Sequence, residues 1–401
     1  MIEREILIKK SLINIKEIII GYLDSTIKVE SIGLFDGISG MALSTFILSE
    51  YYKDTELRNY TQKAIDLGMK SINNGNKIHT FCSGIAGLFW AISFMSKNGL
   101  YEKEDITFLH NLDHYLYKRM INDLTHGYFD FLHGATGVCL YFMHDLTKQR
   151  IEYIAEYIDI IEEISHHSND QYRWESTIDF NSGKKGFSLG LSHGISSIIS
   201  VLCKAIILGV NISKAKRMLN GSIAFLLDNI QDPYKNGSFF PIAICDKNSF
   251  YKKSRMAWCN GDLGIGISLF RAAKVLGDNS LNMLSEEILE FSTQRKDEKM
   301  ELVFDAGICH GSVGIANIYN RMYFNTRKEI YRNSRDFWID QTIKNAKFEN
   351  GLAGYKAYYG SGIDGLKNNY FFLEGIAGIA MSLVFSIIEV EPKWDECLLI
   401  S

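Results

Sequence analysis

Two cysteines and a histidine occupy matching positions in two similar stretches of the sequence. Cys259 lies two residues before Gly261, and Cys309 lies two residues before Gly311, with His310 between them. Thiolates combined with an imidazole suit zinc. Three protein ligands with a fourth position left open are typical of a catalytic zinc, whereas structural zinc usually takes four. The pattern therefore predicts a zinc site formed by Cys259, Cys309 and His310.

Two other interpretations of the cysteines are open. Cys82 holds the same register before Gly84, so a fourth ligand and a structural zinc site are one alternative. Buried cysteines that bind no metal are the other, because such residues are common. The chain has seven cysteines. Their odd number, their wide spacing and the lack of an export signal indicate reduced thiols in the cytoplasm rather than a disulfide framework.

Three further residues could move protons or stabilise charge. His193, just before Gly194, is a candidate general acid or base because imidazole titrates near neutral pH; a core histidine with satisfied hydrogen bonds is the alternative. Asp130, four residues before Gly134, could orient an imidazole and fix its tautomer. Arg255 could stabilise negative charge on a substrate oxygen. Taken singly, Asp130 and Arg255 would be a turn cap and a surface charge.

A repeated turn organises the whole chain. The motif Gly-x-x-Gly, followed at once by an apolar stretch, occurs six times, and a seventh copy has Ser197 as its second small residue. Successive copies are 47 to 67 residues apart, which leaves room for two helices each. The first glycines of the seven copies are Gly37, Gly84, Gly134, Gly194, Gly261, Gly311 and Gly375.

The repeats predict helical hairpins. In each, one helix begins at the glycine and is apolar all round, hence buried, while its partner is amphipathic. Seven such hairpins predict an all-α fold, an α/α toroid, with an open solenoid as the rival. We expect residues 1–146 and 188–401 to form the toroid and residues 147–187, which include a strand-like stretch at 172–179, to form a small α/β insertion. Segments 231–254 and 350–372 are expected to wall a substrate groove.

The residue before each first glycine is polar, although the helix that follows is apolar. If all seven helices begin at the same end of the barrel, these side chains form one shared polar site. Helix capping is the alternative, but it does not account for histidine or glutamate. The seven residues are Asp36, Ser83, His133, His193, Asn260, His310 and Glu374.

Composition excludes several classes of protein. The formal net charge of −4 gives no reason to expect a nucleic-acid partner. The N-terminus mixes charged and apolar residues as an amphipathic helix does, not as a signal peptide does. No apolar run reaches the roughly 18 residues that a transmembrane helix needs.

These motifs resemble those of the lanthipeptide (lantibiotic) cyclase, or LanC, family. The resemblance covers essentially the whole chain and rests on the glycine repeats together with the stretches 258–261 and 309–311. It implies an α/α toroid with an SH2-like insertion, best placed at 147–187. It also implies a zinc bound by Cys259, Cys309 and His310. The conserved active-site His, Asp and Arg of the family correspond to His193, Asp130 and Arg255.

One position departs from the family pattern. Relatives commonly have Tyr after the first zinc cysteine, and this chain has Asn260, so a role for that phenol does not carry over. The length of the chain leaves no room for a fused dehydratase. We therefore expect a stand-alone cyclase of the class I type.

The resemblance implies a zinc-dependent cyclase that adds cysteine thiols to dehydroalanine or dehydrobutyrine within one precursor peptide, which closes thioether rings. Expected partners are the dehydrated precursor peptide and, in a membrane-associated complex, a dehydratase and an ABC transporter. The protein would then be cytoplasmic, or peripheral to the membrane through those partners.

Three other functions are open at this point. A relative that adds a small thiol such as glutathione would share the catalytic residues. A non-catalytic scaffold for the precursor peptide would tolerate Cys309→Ala. An α/α-barrel glycosidase would need a pair of carboxylates, for which Asp36 and Glu374 are candidates.

Overall fold

The structure is a computed structural model that describes residues 2–26, 28–179, 182–245, 248–250, 253–360 and 365–401. This part of the chain contains fifteen α-helices and eight short strands. The all-α class predicted from the sequence is therefore confirmed. None of the described helices combines the length and the apolar character needed to cross a membrane.

Seven helices begin directly after the first glycines of the seven repeats, as predicted. These repeat helices are α2 (Ile38–Tyr52), α4 (Ile85–Lys97), α6 (Ala135–Phe142), α8 (Ile195–Ile207), α11 (Asp262–Leu276), α13 (Ser312–Thr326) and α15 (Ile376–Ile387). Twelve consecutive residues of α2 and ten of α15 are buried. Burial along the whole helix is what an apolar surface on all sides requires.

Seven amphipathic helices of the described chain accompany them. These companion helices are α1 (Ile2–Asp24), α3 (Thr55–Asn73), α5 (Asp113–Thr125), α7 (Lys148–Glu163), α9 (Ile212–Leu227), α12 (Asn279–Ser292) and α14 (Glu329–Asn345). In α3 the buried residues recur every three or four positions, so only one face is covered. The described residues also include α10 (Pro233–Asn236) and two 3-10 helices, Lys103–Leu112 and Trp394–Leu398.

The chain forms two compact units, each with its own row of repeat helices. The first unit comprises Met1–Leu112 and Val303–Pro392, and its repeat helices pack side by side in the order α13, α15, α2, α4. Within it, α1 packs on α15, so the first helix of the chain completes the hairpin of the last repeat. The second unit comprises Asp113–Leu302 and Lys393–Ser401, with the order α6, α8, α11.

Backbone hydrogen bonds connect the glycine turns, the segments that lead into the repeat helices. In the first unit the Cys309 N–H donates to the Leu373 carbonyl at 3.0 Å, and the Leu373 N–H donates to the Phe35 carbonyl at 2.9 Å. In the second unit the Leu191 N–H donates to the Cys259 carbonyl at 2.9 Å. The backbones of both predicted zinc cysteines are thus fixed by a neighbouring turn of the same unit.

The second glycine of a repeat permits a close approach of the chain. A Cβ added at Gly378 would lie 2.0 Å from the Phe372 carbonyl oxygen and 2.6 Å from Ile308 Cδ1. We expect Gly378→Ala to destabilise the protein by about 1–3 kcal/mol, because backbone atoms would have to move. Gly21→Ala in α1 is the matched control, since nothing lies within 4 Å of its Cβ position. The control should stabilise the protein by up to about 1 kcal/mol. Urea unfolding measures both, and equal effects would contradict the close-packing account.

The strands are short and antiparallel. They are β1 (His166–Ser168), β2 (Gln171–Arg173), β3 (Ser176–Asp179), β4 (Lys184–Ser188), β5 (Ala243–Cys245), β6 (Asn248–Phe250), β7 (Ala357–Tyr358) and β8 (Leu366–Lys367). They form the pairs β1-β2 and β7-β8 and a four-stranded sheet in the order β3-β4-β5-β6, in which Phe187 pairs with Ile244.

The predicted insertion 147–187 contains α7 and the strands β1 to β4. Its strand-like stretch 172–179 is interrupted between β2 and β3. The buried Trp174 lies at this interruption and donates its indole N–H to the Ile161 carbonyl of α7 at 2.7 Å. The four-stranded sheet also takes β5 and β6 from outside the predicted range. Residues 180 and 181 of that range lie outside the described residues. The domain boundaries stay a prediction.

Candidate functional site

Three predicted ligands come together in the described part of the chain. One ligand atom each from Cys259, Cys309 and His310 lies within 4.8 Å of the others. Cys259 is 8% exposed, and the other two are half-buried. Two sulfurs and one imidazole nitrogen are a donor set that fits zinc. Cys82, the alternative fourth ligand, is not part of this group, so the described side chains supply three ligands.

The ring of His310 is oriented by its own unit. Its Nε2 lies 3.0 Å from the Tyr358 carbonyl oxygen and 3.6 Å from Asp305 Oδ2. The Tyr358 N–H in turn donates to Asp305 Oδ2 at 2.7 Å. Both neighbours of Nε2 are acceptors, so the tautomer that hydrogen-bonds to them carries its hydrogen on Nε2, and the lone pair of its Nδ1 could bind a metal. Histidine ligands are usually fixed in this way by a carboxylate or a carbonyl.

Sequence reasoning missed both Asp305 and Tyr358. Asp305 is 2% exposed, and its Oδ1 accepts the Gly307 N–H at 3.0 Å. Tyr358 lies in β7, within the segment 350–372 that the sequence predicts as a wall of the groove. Its contact with His310 is made by the backbone carbonyl. Every residue has such a carbonyl, so the residue type at this position could not predict the contact. Asp305 lies only five residues before His310, and this short spacing is the one signal that could have pointed to it.

We expect Asp305→Asn to weaken zinc binding by about 10- to 100-fold, because the outer-shell acceptor that fixes the His310 tautomer loses its charge. Competition with a chromogenic chelator measures the affinity. Asp36→Asn is the matched control: Asp36 lies in another glycine turn of the same unit and accepts hydrogen bonds from Ser31 and Ser83 at 2.6 and 2.8 Å. The control should keep the affinity of the wild type, and an equal loss in both variants would contradict the role of Asp305.

The segment that carries Cys259 is fixed within the second unit. The Cys259 carbonyl accepts the N–H groups of Leu191 and Ser192 at 2.9 and 3.1 Å. The neighbouring Trp258 is fully buried and donates its indole N–H to the Leu398 carbonyl at 2.8 Å. Gly261 has φ +112°, a conformation that residues with a Cβ rarely adopt. The backbone on both sides of the Cys259 thiol is therefore constrained.

Asp130 and His193 form a hydrogen-bonded pair. Asp130 Oδ2 lies 2.5 Å from His193 Nδ1, and Asp130 Oδ1 accepts the His133 N–H at 2.7 Å. The His193 side chain is 44% exposed. Burial disfavours the charged form of each group, but the hydrogen bond and the opposite charges outweigh it, so the pKa of His193 is raised and that of Asp130 is lowered. With Nδ1 held by Asp130, Nε2 is the nitrogen that can exchange a proton with a substrate.

Arg255, the third predicted catalytic residue, contacts a backbone carbonyl rather than the Asp130–His193 pair in the described structure. Its Nη2 donates to the Leu302 carbonyl, and no hydrogen bond to Asp130 or His193 is present in the described structure. Its Nε is buried and has no hydrogen-bond partner. A buried donor without a partner is costly unless a ligand satisfies it, and a substrate oxygen would do so.

Asn260 follows the first predicted zinc cysteine, at the position where the resemblance to the LanC family leads one to expect Tyr. Its Oδ1 is buried without a hydrogen-bond partner, and a Cβ added at Gly190 would lie 1.8 Å from it. The amide thus packs directly on the Gly190 backbone.

Four of the polar residues before the first glycines form pairs, each pair within its own unit. Ser83 donates its hydroxyl hydrogen to Asp36 rather than to a helix end. The rings of His133 and His193 lie 6.3 Å apart and nearly parallel. Capping therefore does not explain Ser83, and the convergence of all seven residues on one shared site stays a prediction.

The protein is thus all-α, and two cysteines and a histidine that could bind zinc lie close together in it. The family model of lanthionine synthetase C-like proteins matches residues 28–399, and the chain belongs to that family. Its structure is similar to that of a nisin cyclase, with a TM-score of 0.78 and 17% sequence identity over 96% of each chain. This similarity confirms the predicted α/α toroid fold class. A sugar epimerase from a ruminal bacterium aligns with a TM-score of 0.45 and 12% identity over 90% of this chain and 89% of that one, which is too low to support an inference.

Proposed function

We propose that the protein is a zinc-dependent lanthionine synthetase that closes thioether rings in a dehydrated precursor peptide. The observation that carries the proposal is the group of Cys259, Cys309 and His310 in a chain of the lanthionine synthetase C-like family. Three ligands leave one coordination position for a substrate thiol. When bound, zinc would lower the pKa of a peptide cysteine that enters this position.

The chain's own residues would handle the remaining charge and protons. The cysteine sulfur forms a bond to the β-carbon of a dehydroalanine or dehydrobutyrine, and the electron pair of the double bond moves toward the carbonyl oxygen. The buried Nε–H of Arg255 would donate to that oxygen. His193, oriented by Asp130, would deliver a proton from Nε2 to the α-carbon. Solvent takes up the thiol proton and restores His193, so the mass of the peptide is unchanged.

Incubation of the purified protein with a dehydrated precursor peptide tests the proposal. Ring closure should consume free thiols, measured by alkylation and mass spectrometry, without changing the mass of the peptide. A product heavier by one added thiol, when glutathione is supplied, would favour a relative that adds small thiols. A peptide that binds but keeps its thiols would favour the non-catalytic scaffold. Either of the last two results overturns the proposed cyclase activity.

Glycoside hydrolysis receives no support from the described contacts. Both carboxylate oxygens of Asp36 accept hydrogen bonds from neighbouring serines, Ser31 and Ser83, of its own unit, as expected of a carboxylate with a structural role.

The proposed partners follow from the proposed reaction. Dehydro residues in the peptide require a dehydratase, and an ABC transporter would complete a membrane-associated complex. Co-purification of this chain with those proteins from membranes tests the assembly. A cytoplasmic or peripheral location is part of the same proposal.

A further inference from the structure

The glycine turn that carries Cys259 lacks a backbone closure that most other turns have. In five of the seven turns, the first N–H of the repeat helix donates to the carbonyl seven residues earlier, at 2.9 to 3.2 Å. The pairs are Ile38 with Ser31, Ile85 with Ile78, Ala135 with Tyr128, Ser312 with Asp305 and Ile376 with Asn369. Among the described residues, no such bond joins Asp262 to Arg255. The segment 254–262 therefore needs another means of closure.

The buried guanidinium of Arg295 provides this closure. Arg295, whose side chain is 6% exposed, donates Nη2 to the Ser254 carbonyl at the start of the segment. Its Nη1 lies 3.2 Å from Asp262 Oδ2 at the end of the segment, and Asp262 is fully buried. Its Nε and Nη2 lie 2.9 and 2.5 Å from Glu301 Oε2. One side chain thus connects both ends of the segment to a common anchor.

The anchor is itself fixed in the second unit. The Glu301 carbonyl accepts the Met256 N–H at 3.2 Å, and Glu301 Oε1 lies 2.8 Å from Lys253 Nζ. Two carboxylates, of Asp262 and Glu301, are balanced by two cations, of Arg295 and Lys253. A buried ion pair is weak evidence for a contribution to stability, since apolar residues of similar volume often stabilise as well. The planar fork of Arg295, however, can bind several acceptors in fixed directions, which lysine cannot do.

We propose that Arg295 is a positioning residue that holds segment 254–262, and with it Arg255 and the Cys259 thiol, in the shape required for metal binding and catalysis. The effect on the metal rests on the proposed function. The effect on the shape of the segment does not, because it can be measured in metal-free protein.

Alkylation of the cysteines of the chain allows a direct test. Metal-free wild type, Arg295→Met and Arg295→Lys are alkylated, and the labelling rate of each cysteine is measured by mass spectrometry. We expect Arg295→Met to accelerate labelling of Cys259 by about tenfold or more, because removal of one partner of a buried ion pair is strongly destabilising, with a smaller change in Arg295→Lys. Cys203 and Cys397, both 0% exposed, report global unfolding and should stay protected. Arg150→Met, which removes another buried arginine paired with Asp113, is the matched control and should leave the rate at Cys259 unchanged.

Zinc affinity gives the second readout and should fall by about 10- to 100-fold in Arg295→Met. An unchanged rate at Cys259, or an equal acceleration at Cys203 and Cys259 in both Arg295 variants, would overturn the proposal and make Arg295 a general stabilising residue. If the wild type binds no zinc, the proposed function fails, while the labelling experiment still decides whether Arg295 holds the segment.

Discussion

Replacement of Cys309 by alanine is expected to remove the bound zinc and to abolish ring formation. Two protein ligands would remain, too few for a zinc site that needs three and an open position. The loss should therefore exceed the about 10- to 100-fold that removal of an outer-shell partner produces. Cys309 is only half-buried, so the variant should fold. Zinc content and the rate of thiol consumption measure the two effects.

Cys82→Ala is the matched control for this variant. Cys82 occupies the same register in another glycine turn but is not part of the three-ligand group. It should keep one zinc per chain and the wild-type rate. Loss of zinc from Cys82→Ala would identify a fourth ligand and a structural site, and full activity of Cys309→Ala would favour a scaffold. Both results contradict the cyclase account.

Replacement of His193 by asparagine is expected to slow ring closure by about 10²- to 10⁴-fold, the usual contribution of a positioned general acid or base. Zinc should be retained, because His193 is not among the three ligands. This combination separates a proton-transfer role from a structural one. A variant that loses zinc and activity together, or that keeps the wild-type rate, would contradict the role proposed for His193.

The pH dependence of activity in Asp130→Asn tests the hydrogen-bonded pair of Asp130 and His193. The negative charge of Asp130 raises the pKa of His193 against the effect of burial, so removal of the charge should lower that pKa. If His193 acts as the acid, activity is lost as pH rises through its pKa. The alkaline limb of the kcat/KM profile should therefore move to lower pH in Asp130→Asn, and a limb that does not move would contradict the assignment.

The effect of Asp130→Asn on the free energy of unfolding should depend on pH. A raised histidine pKa stabilises the folded state below the unfolded pKa of about 6.5 and loses this effect as pH rises through the folded pKa. A lowered aspartate pKa stabilises it above about 3.9 and loses the effect as pH falls through the folded pKa. The difference in unfolding free energy between wild type and variant should thus be largest between about pH 4 and 6.5. Partial exposure of His193 keeps it small.

The helical repeats were predictable because local signals agree with the fold. A glycine followed by an apolar stretch marks the start of each repeat helix, and all seven such helices are present in the described structure. The pairing of α1 with α15 was not predictable, since it joins the two ends of the sequence and depends only on which apolar face remains uncovered.

The candidate site was predictable in part. Cys259, Cys309 and His310 share a register that points to one metal. Asp130 and His193 could be named, but their contact follows from the packing of α6 on α8, which spacing does not reveal. Arg295 could not be found from the sequence, because a single arginine three residues after the companion helix α12 gives no sign of its buried partners.

X-ray absorption at the zinc edge of the purified protein would show directly whether two cysteines and a histidine bind one zinc ion and leave a position for a substrate thiol. We expect one zinc per chain with two sulfur ligands at about 2.3 Å and nitrogen or oxygen ligands at about 2.0–2.2 Å. Addition of a dehydrated peptide that contains cysteine should add a third sulfur ligand. A protein without zinc, a site with four sulfurs, or a sulfur count that does not change with the peptide would contradict the account.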